Sequence, residues 1–288
     1  MSVPIDRAFL TVWVSLALTV GPASSGTAAD LRPQTVAAFD RYAAETERQR
    51  EPSLTNASPF LWIEAQRAAD RTVSLEQLRA GAFVIERLTT TADGKQIEVP
   101  DGIIHHWLGA VFVPGASLDQ AMALLQDYDH HAEIYAPAVN RSKVLARDGD
   151  SFRVLLRFFM KKVLTVVVDG EHQARFTRLS PDRAHSRVVS TRLNEVEDPG
   201  TAQERLKPEG RDGGYLWRIN SYWRFLERDG GTYIQCETIT LSRRIPIGLG
   251  WLVGPFVTSI PKDSLEFTLT TTRQALLARV KTGAGRPR

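Results

Sequence analysis

Residues 214–246, GYLWRINSYWRFLERDGGTYIQCETITLSRRIP, limit the possible folds more than any other stretch of the chain. Tyr215, Trp217, Ile219, Ser221, Trp223 and Phe225 alternate with Leu216, Arg218, Asn220, Tyr222 and Arg224. A period of two is the pattern of a half-buried strand. Arg228-Asp229-Gly230-Gly231 then supplies residues that tolerate positive φ, so two strands and a tight turn are expected. If Asp229-Gly230 is the whole loop, Arg228 faces Gly231, Phe225 faces Ile234, Trp223 faces Cys236 and Ser221 faces Thr238. Arg224 then meets Gln235 on the other side. One face of this hairpin sets tryptophans and a phenylalanine against small residues. It is one wall of either a tight core or a cavity.

An isolated hairpin is not stable, so the rest of the chain must complete its sheet. The 288 residues are enough for one large domain or two small ones, and 43% of them are hydrophobic. With 36 basic and 33 acidic residues the net charge is only +3, and no dense Lys/Arg run occurs, so nucleic acid is not an expected partner. The N-terminus has the three parts of a secretory signal. Arg7 precedes the apolar run 8–20, Gly21-Pro22 breaks it, and the small residues 24–29 suit cleavage near Ala29. The alternative is an uncleaved anchor, but the apolar run falls short of the roughly 20 residues needed to span a bilayer. Export to the periplasm or medium follows from the signal reading. Cys236 is the only cysteine, so no intramolecular disulfide is possible.

Four segments are expected: a signal over 1–29, an N-terminal extension over 30–100, a main domain over 101–281 and a disordered tail over 282–288. The extension reads as helix over 31–51, with Val36, Phe39, Ala43 and Thr46 on one stripe. A helical piece at 60–63, a capped turn at Ser74 and a hairpin through Asp93-Gly94 follow. The main domain begins with a strand at 103–113, apolar on both faces, and a helix capped by Ser117. Strands are expected at 138–146, 152–159, 163–178 and 184–196, then the hairpin. A closing helix is expected from Pro261 to Val280, with Leu265, Leu269, Thr272, Leu276 and Val280 as its stripe. One strand, two short helices, about six antiparallel strands and one long helix make an α+β architecture. A sheet of about seven strands would wrap a long C-terminal helix.

That order, with the Asp127-Tyr128 helix end, the segment His131-Ala132-Glu133-Ile134-Tyr135, Pro137 and the stretch 139–150 (VNRSKVLARDGD), resembles the helix-grip fold of the START and polyketide-cyclase-like (SRPBCC) superfamily. The resemblance covers about 101–280. It implies a hydrophobic small molecule or lipid held between the sheet and the last helix. Some relatives of this kind are aromatase/cyclases, so a cyclase- or hydrolase-type enzyme working in the same cavity is the alternative to a carrier.

Candidate residues follow from the expected faces. The pocket lining would be Trp107, Trp217, Ser221, Trp223, Phe225, Cys236 and Thr238 from strands, and Leu265, Leu269 and Leu276 from the helix. Arg157, between Leu155 and Phe159, is the candidate inward cation for a polar head. The uncharged stretch 248–260, with Trp251, is packing, a glycine-hinged lid, or a surface touching a membrane transiently during ligand exchange. Glu195, Glu237 and one of His105 or His106 are the acid/base candidates, though alternation puts Glu237 on the outward side near Arg224, where an ordinary surface pair is expected. His105 and His106 point to opposite faces, and no ligand spacing completes a metal site. Neither a cofactor fingerprint nor GxSxG nor a P-loop is present, so no cofactor is expected.

Overall fold

The computed structural model describes residues 29–55, 59–161, 165–244 and 250–283. Residues 1–28 of the signal segment, residues 248–249 of the lid-like stretch and residues 284–288 of the tail lie outside these residues.

The extension holds β1 (Ala29–Asp30), α1 (Pro33–Thr55), a 3-10 turn at Trp62–Ala65, α2 (Ala68–Arg79), β2 (Val84–Arg87) and the small hairpin β3 (Thr91–Ala92) and β4 (Lys95–Gln96). The main unit holds β5 (Gly102–Pro114), α3 (Leu118–Gln126), α4 (His131–Ile134), β6 (Val139–Asp148), β7 (Ser151–Lys161), β8 (Thr165–Ser180) and β9 (Arg183–Glu197). The short β10 (Arg205–Leu206) and β11 (Arg211–Asp212), then β12 (Arg218–Arg228), β13 (Gly231–Arg243) and α5 (Gly250–Thr282) complete it. The main sheet runs β2-β5-β13-β12-β9-β8-β7-β6, with β10 beside β9. All its pairings are antiparallel. With α5 packed on one face this is a helix grip.

The β12–β13 register is the one the turn chemistry dictates: Arg228 faces Gly231, Trp223 faces Cys236 and Ser221 faces Thr238. Asp229 and Gly230 both take positive φ, 58° and 73°, as the primed turns that match strand twist require. Ser117 caps α3 in a capping box with Gln120. At Ser74 the chain does not start a helix. α2 runs through it, and its hydroxyl bonds Gln66 instead.

α5 begins at Gly250, not at Pro261. Pro261 sits inside the helix, where it forgoes one backbone hydrogen bond. The 250–260 stretch therefore forms the first turns of the grip helix. The expected stripe holds: Leu265, Leu269, Thr272 and Leu276 are buried.

Three apolar clusters lie around the sheet. The largest joins α3, α5 and the inner sheet face through Val111, Val113, Phe152, Trp223, Phe225, Ile234 and Cys236. The other two lie on the outer face, under the extension. One gathers Phe60, Ile63, Leu78, Phe112 and Tyr233. The other gathers Phe39, Tyr42, Ile97, Trp217, Ile239 and Leu241. The extension thus covers one half of the outer face.

Candidate functional site

The candidate site is the inner sheet face under α5. Contacts fix the direction of the helix along β5. Leu265 and Leu269 sit over Gly109, Arg273 Nε donates to Phe112 O at 3.0 Å, and Val280 lies by Gly115. At Gly109 the grip is closed, since a Cβ there would stand 2.5 Å from Leu269 Cδ1. Beyond it Trp223, Phe225, Cys236, Leu265, Leu269 and Leu276 form one dense cluster. Burial raises the Cys236 thiol pKa. Tyr135 Oη meets Thr272 Oγ1 at 2.9 Å and pins α4 to α5.

Toward the other end of β5 the same face loosens. Trp107, Phe158 and Val188 pack on the cluster yet are only partly buried. Ser221 and Thr238, opposite each other in register, are also partly exposed. Two buried polar atoms here have no partner among the described residues: His172 Nε2 and Thr240 Oγ1. His172 stacks edge-on against Phe158, with ring centroids 5.7 Å apart. Burial lowers its pKa to about 4, so the imidazole is neutral at neutral pH. His105, opposite Thr240, bonds Ser242 Oγ at 3.0 Å. Its pKa is also about 4, through burial and the charge of Arg87. A band of aromatic, aliphatic and hydroxyl groups therefore adjoins a closed apolar half.

Of the expected lining, Trp107, Ser221, Trp223, Phe225, Cys236, Thr238, Leu265, Leu269 and Leu276 share this face. Trp217 does not. The regular strand starts only at Arg218, and Trp217 turns to the outer face, where Nε1 donates to Asp212 at 3.1 Å. Arg157 is also outward. It sits between inward Leu156 and Phe158, forms a two-pronged pair with Asp169 at 2.6 and 2.8 Å, and reaches Glu204 at 2.9 Å. These carboxylates raise its pKa, and it does not reach the grip. The side chain of Trp251 lies outside the described residues.

Glu237 was expected as an exposed surface pair with Arg224. It does point outward, but it is 2% exposed, buried beneath α1. His106 Nε2 bonds one of its oxygens and Arg50 pairs with the other. Tyr42 Oη lies 2.8 Å from His106 Nδ1 and accepts from Thr90 N–H at 2.8 Å. A neutral His106, protonated on Nε2, satisfies every contact, and burial with the Arg50 charge lowers its pKa to about 3. Tyr42, Thr46 and Arg50 recur every four residues on one side of α1, a polar stripe hidden among charged neighbours. Arg224, opposite Gln235 in register, donates to Phe60 O. Glu195 is likewise structural, accepting from Gly213 N at 2.9 Å and Tyr215 N at 3.3 Å, with Lys207 Nζ at 3.3 Å. His105 and His106 do face opposite ways, and among the described residues no cluster of three His, Cys, Asp or Glu is placed to hold a metal. No described helix is long and apolar enough to cross a membrane.

No family model matches the sequence, and no curated protein matches it. Similar solved structures include a STAR-related lipid transfer protein from Xanthomonas axonopodis (17% identity, 67% of this chain, 93% of that one, TM-score 0.43). They also include Zhui aromatase/cyclase from Streptomyces sp. R1128 (13%, 64% and 100%, TM-score 0.43) and human STARD10 (10%, 80% and 87%, TM-score 0.43).

Proposed function

We propose that the protein is an exported carrier for a hydrophobic small molecule or lipid, held between the sheet and α5 at the loose end of the grip. One observation carries this reading. Trp107, Phe158, Val188, Ser221 and Thr238 stay partly exposed on a face that is otherwise a closed core. Apolar walls with a few hydroxyls are what a site for such a ligand needs, with burial as the driving force and one or two polar groups fixing orientation. The unpartnered His172 Nε2 and Thr240 Oγ1 are candidates for those polar groups. The acid–base enzyme is the weaker reading. An imidazole held near pKa 4 is a poor base at neutral pH, and both candidate glutamates are engaged in structural contacts. The first turns of α5, which run toward this end, supply apolar residues suited to ligand exchange at a membrane surface.

Native mass spectrometry of the chain purified from the exported fraction tests the proposal. The expected result is a co-purifying apolar compound, lost on organic extraction, that rebinds with a change in tryptophan fluorescence absent from Trp107→Phe. A protein that is repeatedly empty, and silent toward fatty acids, quinones and polyketides, overturns it.

A further inference from the structure

Among the described residues no helix covers the outer face of β6 to β9, and that face is basic. An open groove of about 640 Å³ lies there, lined by Arg147, Arg153, Gln173, Arg175, Thr177 and Arg187 among others. In register Arg175 stands directly opposite Arg187, and Arg153 is opposite Gln173, two residues along β8 from Arg175. Like charges directly across a sheet repel, so this arrangement is unfavourable unless an anion is present. α1 supplies only part of one, as Glu47 pairs with Arg187 at 2.8 Å. Arg147 lies over the Phe152 ring at 4.8 Å and donates to Gly149 O at 3.0 Å. Arg153 and Arg175 are exposed and have no acidic partner among the described residues. Asp148 is the one carboxylate in the lining. The nearby Arg157 shows what a neutralised arginine on this face looks like, clasped by Asp169 and Glu204.

We propose that this groove binds a phosphate-bearing anion, with Arg153 and Arg175 as its main contacts and Arg187 flanking. Guanidinium forks match the oxygens of a phosphate group in pairs, and Arg153 and Arg175, diagonal neighbours about 7–8 Å apart on adjacent strands, have side chains long enough to bring two forks to one tetrahedral oxyanion. The groove is on the opposite face of the sheet from the grip and is independent of the carrier reading. The phosphate would come from a soluble phosphate ester or from the headgroups of an anionic bilayer.

Two probes separate these sources: calorimetric titration of the full chain with inorganic pyrophosphate at low salt, and co-sedimentation with phosphatidylglycerol vesicles against phosphatidylcholine ones. R153Q/R175Q is compared with R205Q/R211Q, which removes the same charge from exposed arginines elsewhere. Wild type and R205Q/R211Q are expected to bind alike, and R153Q/R175Q at least about tenfold more weakly. R153K/R175K keeps the charge but not the forks, and is expected to fall between them. It also decides the matter should the glutamine variant fail to fold. Saturable pyrophosphate binding with this pattern identifies a soluble phosphate ligand. The same pattern with vesicles alone identifies headgroups. Absence of binding to both, or equal weakening by the two glutamine variants, overturns the proposal.

Discussion

Gly109→Ala tests whether the grip is closed where the geometry says it is. The added methyl would sit 2.5 Å from Leu269 Cδ1 and 3.4 Å from Leu265 Cδ2. Both side chains are buried on a helix whose neighbours fix it, so neither swings away freely. Overpacking of this kind costs about 1–3 kcal/mol. Alanine also restricts the unfolded chain, returning about 0.4–1 kcal/mol, so the measured loss is the smaller remainder. At roughly 2–4 °C per kcal/mol for a chain of this size, the midpoint falls by a few degrees. Leu269→Ala alone leaves a cavity worth about 2–5 kcal/mol. The decisive quantity is the coupling. In the double variant the new methyl enters space that Leu269 has left, so the pair loses less than the sum by about 1 kcal/mol or more. Urea unfolding of the four proteins measures it. Additive losses, within about 0.5 kcal/mol, would refute the contact and with it the division of the inner face into a closed and a loose half.

Four further outcomes are expected. The pKa values of His105, His131 and His172 are lowered to about 4 and that of His106 to about 3, each chiefly by burial. The unfolded chain therefore takes up protons below about pH 6.5 that the folded one refuses, so stability is fully present above that pH and is lost toward about pH 4. Asp212, raised to about 6 by burial and Glu195, acts in the opposite direction over part of this window. Denaturant midpoints should still drop steeply from pH 6.5 to 4.5, and a flat profile contradicts the neutral-histidine assignment. Glu237→Gln leaves Arg50 without its counter-ion and should cost about 3 kcal/mol, largely restored by adding Arg50→Met. Equal stability of Glu237→Gln and wild type by urea unfolding would show the network to be idle. Asp229→Ala places alanine at φ 58° and removes the carboxylate that holds Arg79 and Tyr233, so a loss of about 2 kcal/mol is expected by the same assay. Intact-mass measurement of the exported protein should give an N-terminus near Asp30, and a mass retaining residues 8–20 excludes cleavage there.

How much of this was legible in the sequence depended on whether a rule was local. The β12–β13 register follows from two residues, because Asp229-Gly230 accepts only the tight primed turn and alternation does the rest. The α5 stripe follows from spacing alone. Trp217 shows where alternation ends. It shares the parity of Trp223, but parity holds only within a regular strand, and the chain bends before Arg218. Pro261 misled for a related reason, since a proline suited to a first turn is also tolerated inside a helix held by packing. Arg157 looked inward because Leu155 and Phe159 flank it. Its partners, Asp169 on the next strand and Glu204 in a loop, are remote in sequence. Glu237 was assigned to the correct face, yet alternation is silent about what covers a face.

That cover explains the uneven distribution of charge in the protein. The extension packs on the outer face of β5, β12 and β13 through Phe39, Tyr42, Phe60 and Leu78. Once α1 lies there, the polar outward positions of those strands must be satisfied internally. Glu237 has Arg50 and His106, Gln235 accepts from Trp62 N–H at 2.8 Å, and Arg224 has Phe60 O. Among the described residues α1 reaches β9 through Glu47, which pairs with Arg187 and also accepts from Tyr222 on β12. Beyond that reach the same outward positions on β7 and β8 carry Arg153, Gln173 and Arg175 in the open. One alternation rule thus produces buried, matched charges under the helix and unmatched cations beside it. Binding an external anion at the uncovered half would do there what Glu237 does for Arg50 under α1.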